Sequence, residues 1–496
     1  MKLSNKILAV ALSGVVALGG LTSCDYLDVV PENSVPEEKV DYTDITDMYA
    51  PVSGVYAKLR TGGMHWVINM ESVIRDGDVW SGRIDDQADM VNIGRHYRYN
   101  NGFWGFNEMW NQYYGMIKFA NTALDALDQY AANIKNETDM AKYRSYCGEV
   151  KILRAYAYYR LVQYFGDVTI LRSNDQGSLR RSSKELVYEY ILEDLDYAWD
   201  NCPRLNPNEM EHIGAFTAYT ARALAAKVKL VQGKYNDVET YTNDIISSGK
   251  FQLYPDYYEL FKIPAKLCSE SLMECQSTFF GMGSGDKVDV DQFFNCAGPR
   301  ITSQADGRSV GGWNFIGYEE SFQNWVAARG ETVRATTAFL RGGEVTPSGD
   351  LVSSPSNLEN TNCWNGKWYV PISQIIEGRT QYGGDNNVRI LRYAEVLLMN
   401  AEALVRQGKS GDTPFNLVRK RAQMSEITGV TLNDILDERR MELCCEWGVR
   451  YEDLIRCDLA KTVLGPLGWT PDKTYFPLPA NQLNIVDDLK LDPITE

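Results

Sequence analysis

Histidine is scarce: His65, His96 and His212 are the only three in 496 residues, and they lie too far apart to form a metal-binding pair at helical spacing. No G-x-S-x-G nucleophile elbow occurs. Asp85 and Asp86 are adjacent carboxylates, but nothing in the sequence sets them ~5–9 Å apart across a glycosidic bond, so their reading is a solvated loop. Asp286, Asp289 and Asp291 could hold calcium, yet their spacing fails the EF-hand pattern. These absences point away from catalysis, from a bound metal and from any cofactor.

Basic charge is also short. Lys and Arg number 50 against 66 Asp and Glu, for a net charge of −16. Losing Lys2 and Lys6 with an N-terminal leader leaves 48 basic side chains and a balance of −18. Phosphate backbones and anionic lipid surfaces are repelled by such a chain, which excludes nucleic-acid binding and basic-patch membrane adhesion. No run approaches the ~20 apolar residues of a spanning helix. The ten cysteines follow no regular spacing, and Cys268/Cys275 or Cys444/Cys445 match no zinc pattern. Small buried hydrophobes rather than a disulfide framework are expected.

The N-terminus carries an address. Lys2 and Lys6 precede an apolar run from Ile7 to Gly20 that ends in Leu21-Thr22-Ser23-Cys24. Such a stretch is too short to span a membrane but suits a secretory leader. We therefore expect a signal peptide over residues 1–23, a tether over 24–41 with Pro31 and Pro36, and one body over 42–496.

Helical periodicity dominates that body. Ile390, Ala394, Leu397, Leu398, Ala401, Leu404 and Val405 recur at steps of three and four before Gly408. Thr431 and Asp434 have the form of a capping box opening a further helix, with Leu432, Ile435, Leu436, Leu443 and Trp447 along one side. Other helices are expected over 45–60, 107–130, about 149–165 ending at Gly166, 184–199, and in a hairpin of 216–232 and 234–248 turned at Gly233. At about 34 residues that hairpin has the length of a tetratricopeptide repeat. The signal thins over residues 62–107 and 276–385, where Gly, Asp, Asn and aromatics show no sustained period. Both segments read as long loops, with helices in the second only at 319–328 and 331–341. Long loops inside a compact body are more often functional than not.

Several segments, in order, are similar to the SusD/RagB family of Bacteroidota outer-membrane lipoproteins. They are the lipobox with CDYLD, LRAYAYYRLVQYFGDVTIL over 153–171, ARALAAKVKLVQGKY, RYAEVLLMNAEAL, ILDERRMELCCEWGVRYEDLIR and YFPLP. The resemblance implies a mainly α fold: a tetratricopeptide-like helical-hairpin scaffold with a loop-rich ligand-binding lobe. It implies lipidation at Cys24, a lipid-anchored place on the outer membrane facing the cell exterior, and a SusC-like TonB-dependent barrel as partner. Asp25 after the lipid cysteine would favour inner-membrane retention in enterobacteria, but acidic residues are common here in this family. The implied cargo is oligosaccharide, with peptide as the alternative. A secreted helical glycoside hydrolase, or a tetratricopeptide adaptor binding only protein, are the other readings.

Sugar presents apolar C–H faces and hydroxyl rims, which proteins meet with flat aromatic rings and with Asp, Asn, Arg or Gln. The two loop-rich stretches hold both kinds. The expected ligand-binding set is Trp104, Asn107, Trp313, Trp80, Asp76, Arg83, Tyr97 and Phe315, of which the Trp104/Asn107 pair and Trp313 resemble the family's aromatic arc. Trp110 and Trp447 are expected in the core, and Tyr156, Tyr158 and Tyr159 in helix packing.

Overall fold

A helix buries one face against each neighbour, and in this chain the burial runs from helix to helix along the sequence. The computed structural model describes residues 40–81, 83, 85–277, 293–354, 362–375 and 385–496; Cys24 and the Asp286/Asp289/Asp291 group lie outside them. Residues up to Asp47 and residues from Met48 onward form separate units. In the first, Asp41 and Asp44 accept from the backbone N–H of Thr43 and Thr46, two residues on, and a 3₁₀ turn follows at Ile45–Asp47.

The second unit begins with α1 (Ala50–Lys58), which widens into a π turn at Leu59–Gly63. Then come α2 (Trp66–Val73), β1 (Val79–Ser81) and α3 (Ala88–His96). Residues 62–107 are therefore not the long loop that periodicity suggests. The described side chains of α2 are buried except at Trp66, and eight residues with Asn69, Glu71 and Ser72 among the apolar ones are too few to show a sustained period.

The scaffold follows in α4 (Trp104–Ala131), α5 (Glu137–Phe165), α6 (Lys184–Asn201), α7 (Ala218–Val231) and α8 (Tyr235–Ile246). Each packs against the next. Arg154 of α5 locks three of them: its guanidinium meets Asp194 of α6 through two 2.8 Å bonds and Asn121 of α4 through a third. Tyr156, Tyr158 and Tyr159 are buried in this stack, as expected of packing residues. The hairpin turn at Gly233 has φ +68°, a left-handed conformation that favours glycine.

A lobe of short strands and helices interrupts the scaffold. It contains β2 (Ser271–Cys275), α9 (Phe293–Ala297), β3 (Ile301–Ser303), β4 (Ser309–Val310), β5 (Ile316–Tyr318), α10 (Glu320–Ala328), α11 (Val333–Ala338), β6 (Phe339–Arg341), β7 (Asp350–Val352) and β8 (Cys363–Asn365). Its core gathers Phe294, Leu340, Trp364, Tyr369 and Ile372. The expected helix over 331–341 splits here, since 339–341 pairs with β8 as a strand.

β9 (Val388–Arg392) returns to pair with β2. The helical stripe read from Ile390 thus starts one element too early, because a short apolar run does not separate strand from helix. The chain closes with α12 (Tyr393–Arg406), α13 (Asp412–Arg421), α14 (Leu432–Glu442), α15 (Val449–Arg456), α16 (Ala460–Leu464) and α17 (Ala480–Ile485). α12 packs on α8 and extends the stack. The Thr431/Asp434 capping box forms as read. Trp447 is buried, but it sits beyond α14, in a turn with φ +52°. Cys147, Cys202, Cys268, Cys275, Cys296, Cys363, Cys444, Cys445 and Cys457 are free thiols. Among the described residues, no helix is long and apolar enough to cross a membrane, and no group of three His, Cys, Asp or Glu could hold a metal ion.

Candidate functional site

An antiparallel pair of three-residue strands brings the two aromatic segments together. β1 and β5 align Val79 with Tyr318, Trp80 with Gly317 and Ser81 with Ile316, and Glu319 N–H donates to the Asp78 carbonyl at 2.9 Å. The salt bridge of Asp78 to Arg440 of α14, 2.8 Å from Nε to Oδ2, pins this pair to the scaffold. Upstream of β5, Trp313 and Phe315 donate their N–H groups to Asn295 and Cys296 carbonyls of α9. Gly312 makes this possible: a Cβ there would stand 2.3 Å from the Gly298 carbonyl oxygen.

Three tryptophans meet as a result. Trp66 opens α2, and its ring centroid lies 5.6 Å from Trp104 and 6.0 Å from Trp313, with interplanar angles of 60° and 89°. Trp104 is 44% exposed and Trp313 41%, an unusual cost for the largest apolar side chain unless something covers it. Trp66 is half-buried between them. His65 caps α2 by accepting from Val67 N–H through Nδ1, and its ring stands edge-on to Trp104 at 6.3 Å. Burial lowers its pKa, only partly opposed by the charge of Glu108, so the imidazole is held toward its neutral form. Beneath the tryptophans Phe315 is buried, 5.5 Å from Trp66 and 5.7 Å from Trp313. Asn107 lies one turn past Trp104 on the same face of α4. It is half-buried, and its Oδ1 accepts from Gln482 at 2.9 Å.

The remaining expected site residues are elsewhere in role. Trp80 is buried under the Arg95 guanidinium, 4.1 Å from its ring. Tyr97 is buried at the left-handed end of α3, and its hydroxyl donates to the Arg75 carbonyl. Asp76 is buried and accepts from the N–H groups of Asp78 and Val79, at 2.8 and 3.1 Å. Burial, with the charge of Asp78 beside it, pushes its carboxyl up to about 8. Those two bonds shape the turn into β1. Asp76, Trp80, Tyr97 and Phe315 are thus closed off in the interior and have no face left for a ligand. Arg83 is at the surface and spends its fork on Asp85, at 3.1 and 2.7 Å, which also occupies one of the two adjacent carboxylates.

Trp66 and His65 were absent from the expected set. Trp66 was visible as one aromatic among many in the Gly-rich stretch, but nothing local separated it from ring residues that turned out to be core.

Comparison with known proteins agrees with this architecture. Residues 25–230 match a family profile described as "Starch-binding associating with outer membrane", and residues 232–468 match the SusD family. A SusD-like protein of Formosa agariphila is 26% identical, covering 95% of this chain and 96% of its own. One from Bacteroides ovatus is 23% identical over 91% and 82%. Among solved structures, a laminarin binding SusD-like protein superposes with a TM-score of 0.77 at 23% identity, covering 90% of this chain and 98% of the other. Surface glycan-binding protein A from Bacteroides thetaiotaomicron, in complex with laminarihexaose, gives 0.75 at 21% identity over 88% and 97%. With two SusD profiles that follow one another along most of its length, the chain belongs to the SusD/RagB family.

Proposed function

We propose that this protein is a cell-surface lipoprotein that captures an oligosaccharide on Trp104, Trp66 and Trp313 and passes it to a SusC-like TonB-dependent barrel. The observation that carries this reading is the pair of solvent-facing tryptophans held around a third. Because the rings are tilted rather than coplanar, they suit a curved chain of pyranose faces more than one flat ligand. Asn107 supplies a directional partner for a hydroxyl through its NH₂ group. Laminarihexaose is the first probe to use, since it is the sugar bound by a protein of the same fold.

Trp104→Ala and Trp313→Ala are each expected to weaken laminarihexaose binding about tenfold, from ~1–2 kcal/mol per stacked ring. Neither should shift the melting temperature by more than a few degrees. Isothermal titration with thermal melts separates the outcomes: unchanged affinity in both variants rejects the platform, and early melting in both would place the rings in the core. Anchoring and delivery are read together. Cys24→Ala should move the protein to the soluble fraction, because acyl chains are the one membrane attachment in this reading, and should cost it any barrel that co-purifies from detergent extract. A Cys24→Ala protein still found in membranes would defeat the lipid assignment.

A further inference from the structure

We propose a second binding site, for a small oxyanion such as the carboxylate of an acidic sugar, in the cavity beside Arg60. The site shares no residue with the tryptophan platform, and its existence does not depend on that reading.

The cavity has a volume of about 430 Å³ and is walled by Tyr49, Tyr56, Arg60, His212, Glu274 and Gln276. That size falls within the ~300–1,000 Å³ of small-molecule sites. Arg60 is the anomaly in it. Nε and Nη2 of its guanidinium are closed off from water and have no hydrogen-bond partner, and no carboxylate forms a salt bridge with it among the described residues. Among the described residues Arg154 pairs with Asp194 and Arg334 with Glu331 and Glu438, while the buried Arg75 and Arg160, which form no salt bridge, give other nitrogens to carbonyl and side-chain oxygens. Leaving donors of a cation sealed without acceptors costs several kcal/mol unless something compensates. Arg60 also sits in the π turn Leu59–Gly63, a local departure from α geometry that recurs at functional positions.

The other walls show which chemistry is left open. Tyr49 and Tyr56 spend their hydroxyls on Glu149, each at 3.0 Å, so they offer ring faces rather than donors. The His212 ring stacks on Tyr49, with centroids 3.4 Å apart and planes within 7°. Glu274 lies at the floor, but its carboxylate is already engaged by Ser271, Leu267 N–H and Asn387, with Arg389 at 3.7 Å. Gln276 Nε2 donates to the Ile213 carbonyl at 2.8 Å. Gly214 lets the loop close there: its φ is +87°, and a Cβ would come within 1.9 Å of Gln276 Nε2. The cavity is thus a box of aromatic and amide walls beside a half-buried guanidinium that no carboxylate pairs among the described residues. A planar oxyanion set beside Arg60 provides the missing counter-charge, and a rotation of that side chain turns its fork onto two oxygens, the geometry arginine favours.

The test is isothermal titration of the purified protein at low ionic strength with glucuronate, glucose and inorganic sulfate. Saturable glucuronate binding with no glucose binding is expected. Arg60→Met should weaken it at least tenfold, Arg60→Lys should retain part of it, and laminarihexaose binding should be untouched in both. Removing an unpaired cation should leave the melting temperature equal or higher. Equal binding of sulfate and glucuronate would support the oxyanion site and assign it to the free anion rather than to a sugar. The proposal is overturned if neither anion binds by ~10 mM, or if Arg60→Met binds glucuronate as tightly as the native protein.

Discussion

Glu442→Gln is expected to lower the stability of the folded protein by about 3–5 kcal/mol, the range for breaking one member of a buried ionic cluster. Glu442 ends α14 and has no exposed side-chain surface. Its oxygens meet Arg421, Arg392 at 3.1 Å and Arg334 at 3.3 Å. Those arginines come from the end of α13, the end of β9 and α11, so one carboxylate ties the lobe to the helical scaffold. Arg392 in turn pairs with Glu446 and Glu270, and Arg334 with Glu331 and Glu438. Glutamine keeps the size but removes the charge, leaving three buried guanidinium groups short of compensation and presenting an NH₂ to donors. Urea unfolding at pH 7 measures the loss, and a change below ~1 kcal/mol would mean that neighbouring carboxylates carry the cluster without Glu442.

The same residue predicts an acid limb. Burial alone would raise its pKa, but Arg421, Arg392 and Arg334 outweigh it and hold the carboxyl at about 2. Its contribution is fully present above the unfolded value near 4.5 and is lost as pH falls toward 2, because folding then requires shedding a proton that the unfolded chain keeps. Over that window roughly 3 kcal/mol should disappear from the native protein, and that share of the loss should be missing from Glu442→Gln. Asp453, buried but held at about 2 by Arg439 and Arg456, adds a parallel loss that both proteins share.

Lys262 adds a second pH-dependent contribution, this one at high pH. Its ammonium is fully buried and donates to the Gly366 and Tyr369 carbonyls at 3.0 and 2.8 Å, without a carboxylate partner among the described residues. Burial, aided by the nearby Arg389 charge, lowers its pKa to about 7. In the unfolded chain it titrates near 10.5, so between those values the unfolded state holds a proton that the folded state has released. Stability therefore rises with pH across the window, by up to roughly 4–5 kcal/mol from this group, and below pH 7 the burial cost stays constant. Lys262→Met removes the titration. The stability difference between native protein and variant should be flat from pH 6 to 7, then shift in the native protein's favour by roughly 3–4 kcal/mol by pH 10. Comparing the two cancels the titration of the many buried tyrosines. A difference that stays constant over the whole range would mean that Lys262 remains charged throughout, and one that already climbs between pH 6 and 7 would mean that it is neutral there.

Local pattern carried much of the scaffold. Stripes of apolar residues, the glycines at 166, 233 and 408 and the capping box at Thr431 determine helices through contacts within a few residues, so they are readable without the fold. The segments that misled reading share a different cause. Where an element is short and mixes polar with apolar residues, as in α2 with eight residues and β9 with five, neither period is sustained long enough to be counted.

The same division runs through the site. Aromatic and amide residues in two Gly-rich stretches are visible in the sequence, and Trp104, Asn107 and Trp313 stand out there through the family resemblance. Which rings face water did not follow. Trp80 and Trp104 look alike in sequence, yet one lies under Arg95 and the other stands open, because β1 pairs with β5 through backbone bonds that no side-chain pattern announces. Trp66 meets Trp104 and Trp313 because α2 packs against both α4 and α9. The unpaired charge of Arg60 was equally invisible: an arginine in a sequence has no partner to lack until the chain has folded and every other acceptor has been taken. Residue identity and helical period are local properties and belong to the sequence, whereas exposure and pairing depend on contacts between residues hundreds apart, and only the tertiary structure decides them.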